Sequence, residues 1–231
     1  MTYKHLFFDL DHTLWDFETN AKNTMQHLYG HFSLKDIGIT DFDEFYKQYS
    51  IHNQKLWQRY HNGFIKADEL RWKRVWHTLL DFKIGDEKLA REMSAHFLDM
   101  LPNRTALFPY AVEILNYLKA KGYRMHLITN GFETVQHSKL KYSGLTDFFE
   151  NVITSEGSNS VKPNKEIFEY ALNKAGATTE ESLMIGDNLE ADIQGAMNAG
   201  IDQVFVNHIN EQTELKPTYT IYKLQELEDI L

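Results

Sequence analysis

Cysteine is absent from the 231 residues. That excludes a disulfide framework, a thiolate zinc site and a thiol nucleophile, and it fits a reducing compartment. No run of 18 apolar residues occurs, so no membrane-spanning helix is expected. The N-terminal apolar run ends at Leu10 and is interrupted by Asp9 and Asp11. It has neither the long apolar region nor the small-residue cleavage site of a signal peptide, so the expected location is the cytoplasm. Basic residues are scarce beside acidic ones, 24 against 33, giving a net charge of −9. A surface of that sign disfavours phosphate backbones, and neither nucleic acid nor membrane is an expected partner. There is no Gly-x-x-x-x-Gly-Lys loop, no Gly-x-Ser-x-Gly elbow and no His-Glu-x-x-His pair. Nucleoside-triphosphatase, serine-hydrolase and zinc-protease chemistry are therefore without support. Internal repeats and low-complexity stretches are also missing.

What is present reads as a globular α/β protein, 42% apolar and 25% charged. Five short apolar runs have the length and residue types of buried strands: Lys4–Leu10, Tyr123–Thr129, Asn151–Ser155, Ser182–Asp187 and Gln203–Asn207. Thr218–Tyr222 is a weaker sixth. From Pro109 onward these runs alternate with helical patterns, which predicts a parallel sheet with crossover helices. Pro109 is expected in a first helical turn whose apolar stripe is Val112, Leu115 and Leu118. Further helices are expected around Ile167–Leu172, over Leu189–Ala199 and at the Leu224, Leu227, Leu231 spacing.

Residues 15–101 break the alternation with four successive helical periods. These run through Phe17, Ala21, Met25, Leu28 and Phe32; through Phe42, Phe45, Tyr46, Tyr49, Leu56, Trp57 and Tyr60; through Leu70, Val75 and Leu79; and through Leu89, Met93, Phe97 and Met100. The expected architecture is a Rossmann-like, doubly wound parallel sheet formed by 1–14 and 102–231, with an all-helical cap domain, 15–101, inserted after the first strand. All four tryptophans (Trp15, Trp57, Trp72, Trp76) fall in the insert, which predicts that it has a small core of its own.

Polar clusters sit at the predicted strand ends. The first strand runs into Asp9-Leu10-Asp11-His12-Thr13, and two carboxylates two residues apart on an extended segment point the same way. Thr129-Asn130-Gly131 ends the second strand, and Gly186-Asp187-Asn188-Leu189-Glu190-Ala191-Asp192 ends the fourth. In a parallel α/β sheet ligands bind outside the carboxyl ends of strands, so these clusters converge on one crevice. Lys162, in Ser160-Val161-Lys162-Pro163, is expected to open the helix after the third strand and reach the same crevice.

In this order the motifs resemble those of the haloacid dehalogenase (HAD) superfamily, in its phosphatase branch. The likeness covers the whole chain, because a helical cap after the first strand is a family layout. Within the family the chain is most similar to the house-cleaning pyrimidine 5′-nucleotidases, through Ile128-Thr129-Asn130-Gly131-Phe132 and, less specifically, Asn53, Leu56-Trp57, Tyr60 and Asn62-Gly63 in the cap. The resemblance implies a Mg²⁺-dependent phosphomonoester hydrolase acting through an aspartyl-phosphate. It implies a small phosphorylated substrate, with a pyrimidine nucleoside monophosphate preferred, and leaves monomer or homodimer open. Asp9 would be the nucleophile and Asp11 the acid and then the base. Asp9 and Asp187 would bind the metal through carboxylates and Asp11 through its carbonyl, with Asp192 orienting them. Thr129 and Asn130 would bind phosphate oxygens, and Lys162 would balance charge.

The roles are chemically coherent. Phosphoryl transfer is mostly positioning and charge stabilisation. An attacking Asp9 must be ionised, whereas Asp11 must carry a proton to give the leaving alkoxide. Four aspartates beside a phosphate repel one another without a cation, and hard oxygen ligands favour Mg²⁺. An acid at position 11 argues against hydrolytic dehalogenation, which has no leaving oxygen to protonate. A phosphatase of sugar phosphates or other small metabolites, a mutase-type phosphotransferase and a non-catalytic binding module on the same fold stay as alternatives. His12 is read as a neighbour of the site and His126 as a packed strand residue. The aromatic stripes of the cap are read as its core. Asn53, polar on an otherwise apolar face, serves either a buried hydrogen bond or the substrate, with Trp57 and Tyr60 beside it as candidate substrate contacts.

Overall fold

The computed structural model describes residues 3–231; Met1 and Thr2, which open the N-terminal run read above for a leader, lie outside the described residues. The chain divides into two compact units, one made of residues through 17 together with 105–231 and the other of 18–104.

The first unit contains one six-stranded sheet, β1 (His5–Phe8), β2 (Arg124–Thr129), β3 (Asn151–Thr154), β4 (Ser182–Gly186), β5 (Asp202–Val206) and β6 (Tyr219–Ile221), ordered β3-β2-β1-β4-β5-β6 with every pair parallel. The six apolar runs are the six strands, each within two residues of its expected bounds at either end. They could be read because both faces are covered: every residue of β1 and β4 is buried, so after His5 and Ser182 these strands are apolar rather than alternating. Phe7, Ile128, Ile153 and Met184 of the sheet pack with Ile167, Phe168 and Ala171 in one core cluster. The chain builds outward from β1 through β2 to β3, then returns to β4 on the other side. The order therefore reverses beside β1, and the carboxyl ends of β1 and β4 flank the reversal.

The helices, in chain order, are α1 (Phe17–His31), α2 (Phe42–His61), α3 (Ala67–Asp81), α4 (Glu87–Met100), α5 (Ala111–Ala120), α6 (Glu133–Tyr142), α7 (Ser155–Ser158), α8 (Lys165–Ala175) and α9 (Gly195–Asn198). Three local expectations need correction. Pro109 lies before α5, whose cap is Tyr110; the buried stripe is Ala111, Ile114, Leu115 and Leu118, while Val112 is exposed. The stretch after β4 is not one α-helix: Leu189–Gln194 is a wide π turn that runs into α9. Lys162 does not open a helix either, because α7 intervenes after β3 and Lys162 lies in the loop before α8.

The second unit consists of α1 beyond Phe17 and α2–α4. Asp41 accepts hydrogen bonds from the backbone N–H groups of Asp43 and Glu44, and Asp86 accepts one from Leu89, so α2 and α4 begin at side-chain caps. Met25, Leu28, Phe45, Tyr49, Leu70, Leu79, Met93 and Phe97 are buried, as the four helical periods predict. The tryptophans are a correction. Trp15 is fully buried in the first unit, where its indole Nε1 donates to Ser143 Oγ at 3.2 Å, and Trp57, Trp72 and Trp76 are only half-buried. The core of the helical unit is aliphatic and phenyl rather than indole.

Candidate active site

Extending β1 by one residue delivers Asp9, whose N–H still donates to Ile185 of β4 at 2.9 Å and is thereby anchored to the sheet. Extending β4 by one residue delivers Asp187, whose Oδ1 accepts from Thr13 Oγ1 at 2.8 Å. The π turn after it returns Asp192, fully buried, so that Oδ2 accepts the Asn188 N–H at 3.0 Å. One carboxylate oxygen from each of Asp9, Asp187 and Asp192 lies within 4.8 Å of the others. Gly186 makes this approach possible, since a Cβ there would sit 2.3 Å from Asp192 Oδ2.

Lys162 enters this cluster from the loop before α8. Its Nζ lies 2.6 Å from Asp9 Oδ1 and 2.6 Å from Asp192 Oδ1, and donates to the Ile128 carbonyl at 2.8 Å. The Asn130 side chain holds that loop at both ends of one residue: Oδ1 accepts the Lys162 N–H at 2.7 Å and Nδ2 donates to the Lys162 carbonyl at 2.9 Å. Ser155 Oγ in turn donates to the Asn130 carbonyl at 3.1 Å. Thr129 ends β2, with Oγ1 accepting from Gly131 N–H at 3.1 Å.

The electrostatics follow from this count. Three carboxylates face one ammonium, leaving two negative charges in excess. Burial first, and then the Asp192 and Asp187 charges, hold the Asp9 carboxyl well above the usual range despite Lys162. Burial and Asp192 push Asp187 up to about 7. Burial works against the Lys162 ammonium, but Asp192 and Asp9 outweigh it and raise its pKa. An all-oxygen donor set two charges short of balance suits a hard divalent cation.

Asp11 departs from expectation. The strand ends at Phe8 and the chain turns through His12, whose φ is 64°. The Asp11 carboxylate is not in the acidic cluster. Lys139 Nζ reaches Oδ1 at 2.5 Å and Gln136 Nε2 donates to Oδ2 at 2.9 Å. Burial favours the neutral acid here, but Lys139 and Gln136 outweigh it and hold Asp11 below the usual carboxylate range. Lys139 and Gln136 carried no signal in sequence: α6 has little amphipathic character, and nothing local says that its lysine is buried.

His12 has its ring 5.1 Å from that of Phe17. His126 is packed, as read, with Nε2 3.0 Å from His5 Nδ1 and Nδ1 3.0 Å from Asn151 Nδ2. Asn53, Trp57 and Tyr60 lie on α2 of the helical unit. There Asn53 Oδ1 accepts from Arg74 Nη1 at 3.0 Å, so a part-buried hydrogen bond engages one half of its amide.

Known proteins are similar to this chain in sequence and fold. The family model for haloacid dehalogenase-like hydrolases matches residues 3–200. The chain is 34% identical to the pyrimidine 5′-nucleotidase YjjG of Escherichia coli, over all of this chain and 99% of that one. It is 34% identical to the pyrimidine 5′-nucleotidase PynA of Streptococcus pneumoniae, over all of this chain and 96% of the other. The crystal structure of the HAD-hydrolase YfnB of Bacillus subtilis, bound to magnesium, superimposes with a TM-score of 0.90 at 29% identity, covering 100% of this chain and 99% of that one. With the sheet order, the buried aspartates after β1 and β4 and a full-length match in agreement, the chain belongs to the haloacid dehalogenase-like hydrolase family.

Proposed function

We propose that this hydrolase is a Mg²⁺-dependent phosphatase that forms an aspartyl-phosphate on Asp9 and prefers pyrimidine nucleoside 5′-monophosphates. The observation that carries the reading is the shared ammonium: Lys162 binds Oδ1 of Asp9, and Oδ2 carries no hydrogen bond among the described residues. One oxygen is held and the other is free to attack phosphorus, which is what a positioned nucleophile needs. Asp9 and Asp187 would hold the cation through carboxylates and Asp11 through its carbonyl, with Asp192 orienting them; bound there, the cation would neutralise the excess charge and polarise the phosphoryl group. Lys162 stabilises the equatorial oxygens as charge develops, and Thr129 with the Asn130 backbone receives the phosphate. Asp11, which Lys139 and Gln136 hold as a carboxylate before substrate enters, would first take up a proton from solvent on Oδ2, give it to the departing alkoxide and then take one from the attacking water. Asn53 and Trp57 select the leaving group. The nucleotide preference rests on the two pyrimidine 5′-nucleotidases similar over their full length.

The test is phosphate release from a panel of phosphomonoesters, with Mg²⁺ or with chelator. dUMP, dTMP and UMP should outrank purine nucleotides and sugar phosphates, chelator should stop turnover, and Asp9→Asn should be inactive. Full rate in chelator would remove the metal assignment. Sugar phosphates ranking first would remove the nucleotidase assignment and leave the phosphatase.

A further inference from the structure

Lys139 is buried as deeply as Lys162, 2% exposed against 3%, yet it takes no part in the acidic cluster. It and Gln136 lie one turn apart on α6, and together they occupy both oxygens of Asp11, at 2.5 Å and 2.9 Å. The ammonium also sits 4.3 Å from the Trp15 ring centroid and 5.7 Å from that of Phe17. Two aromatic faces thus share the cation with one carboxylate. Gln136 is 1% exposed, and its Oε1 has no hydrogen-bond partner among the described residues. Its amide fills the space in front of Gly131, where a Cβ would stand 1.7 Å from Nε2.

A fold seeking stability alone gains little here. Burying an ion pair costs desolvation that well-packed apolar groups avoid, and an orphaned amide oxygen adds to the cost. The two bonds to Asp11 are also unequal. The one from Lys139 is charge-assisted and braced by Trp15 and Phe17; the one from Gln136 is neutral, from an amide already half unsatisfied.

We propose that Lys139 is the positioning residue of Asp11. It holds Oδ1 as a pivot, while Gln136 yields Oδ2, which takes up a proton from solvent and passes it to the leaving-group oxygen of the substrate. Trp15 and Phe17 keep the ammonium in place as the carboxylate turns. Lys139 itself touches neither phosphate nor Asp9. The proposal rests on reading Asp11 as the acid toward the leaving group, and the experiment separates the two.

Lys139→Met, Lys139→Arg, Asp11→Asn and the Asp11→Asn/Lys139→Met double variant are compared by kcat and KM on p-nitrophenyl phosphate, whose leaving group needs little protonation, and on dUMP, whose alkoxide does. Lys139→Met should lose about tenfold or more in kcat on dUMP and under about threefold on p-nitrophenyl phosphate, with KM unchanged. Lys139→Arg should recover most of the loss. The second substitution should not widen the gap between substrates already caused by Asp11→Asn. Equal losses on both substrates from Lys139→Met, or none, overturn the positioning role. No gap from Asp11→Asn itself overturns the acid reading instead. If Lys139→Met does not fold by thermal melting, Lys139→Gln takes its place with the same expected split.

Discussion

Lys162 Nζ lies 2.6 Å from Asp9 Oδ1, and the same ammonium is 2.6 Å from Asp192. One fully buried positive charge therefore serves two of three clustered carboxylates. Lys162→Met keeps the stem and removes the charge. Phosphate release should fall by about 100-fold or more, because the developing charge loses its nearest cationic partner. Stability in chelator should fall by about 3–5 kcal/mol, the usual cost of breaking a buried pair from one side. Added Mg²⁺ should restore part of the melting temperature but not the activity. Melting curves with and without Mg²⁺ check this, and an unchanged melting temperature in chelator would count against the shared-ammonium account.

Gly186 tests the approach of strand and carboxylate. A methyl group there would meet Asp192 Oδ2 at 2.3 Å and its Cβ at 2.6 Å, and Asp192 is pinned by Lys162 and by the Asn188 N–H. Gly186→Ala should cost about 1–3 kcal/mol in denaturant unfolding, as overpacking does, and lower Mg²⁺-supported turnover by about tenfold or more. Wild-type turnover would mean that Asp192 can move without consequence.

Acid should destabilise the protein through the sheet rather than the site. Burial first, with the neighbouring His5, drives the His126 pKa down to about 4 from its ordinary 6.5. Between those values the unfolded chain holds a proton that the folded chain refuses. The stability that neutral His126 contributes is therefore complete above pH 6.5 and declines as pH falls toward 4, while Asp187, raised to about 7, works in the opposite direction over the same range. Between pH 6.5 and 4 the melting temperature should fall by roughly 5 °C or more relative to that of a variant without this imidazole. His126→Gln should flatten the decline. A His126 imidazole titrating near 6.5 in the folded protein, followed by NMR, would refute the assignment.

Asn53 and Arg74 separate packing from recognition on the helical unit. Arg74 is buried, donates to the Leu70 carbonyl and to Asn53 Oδ1 at 3.0 Å each, and lies 5.6 Å from the Phe97 ring. Asn53→Ala should therefore lose about 1–2 kcal/mol whatever the substrate, because an acceptor for a buried cation disappears. Asn53→Asp keeps the acceptor and removes the amide donor. If the amide selects the nucleotide, kcat/KM for a pyrimidine monophosphate should fall about tenfold, with p-nitrophenyl phosphate and the melting temperature unchanged. A parallel loss on both substrates would assign Asn53 to packing alone.

The sheet was legible in sequence because parallel strands buried on both faces are short, apolar and bounded by turns, a local property that needs no knowledge of partners. The ends of those strands were legible too, since Asp9, Thr129 and Asp187 follow directly from where each run stops. Four helical periods on 18–104 were readable because each buries a stripe at 3.6-residue spacing, whatever it packs against.

Tertiary structure decided the pairings. That Trp15 belongs to the sheet unit, that Asp11 pairs with Lys139, and that Asn53 meets Arg74 depend on residues 21 to 128 positions apart. Sequence periodicity reports which residues avoid water. It does not report which buried charge neutralises which, because that depends on the direction of a side chain after a turn such as the one at His12. A lysine on a weakly amphipathic helix reads as solvated until an aspartate and two aromatic rings are found around it. Desolvation and charge balance are properties of the assembled interior, so the chain order names the carboxylates and only the fold assigns their partners.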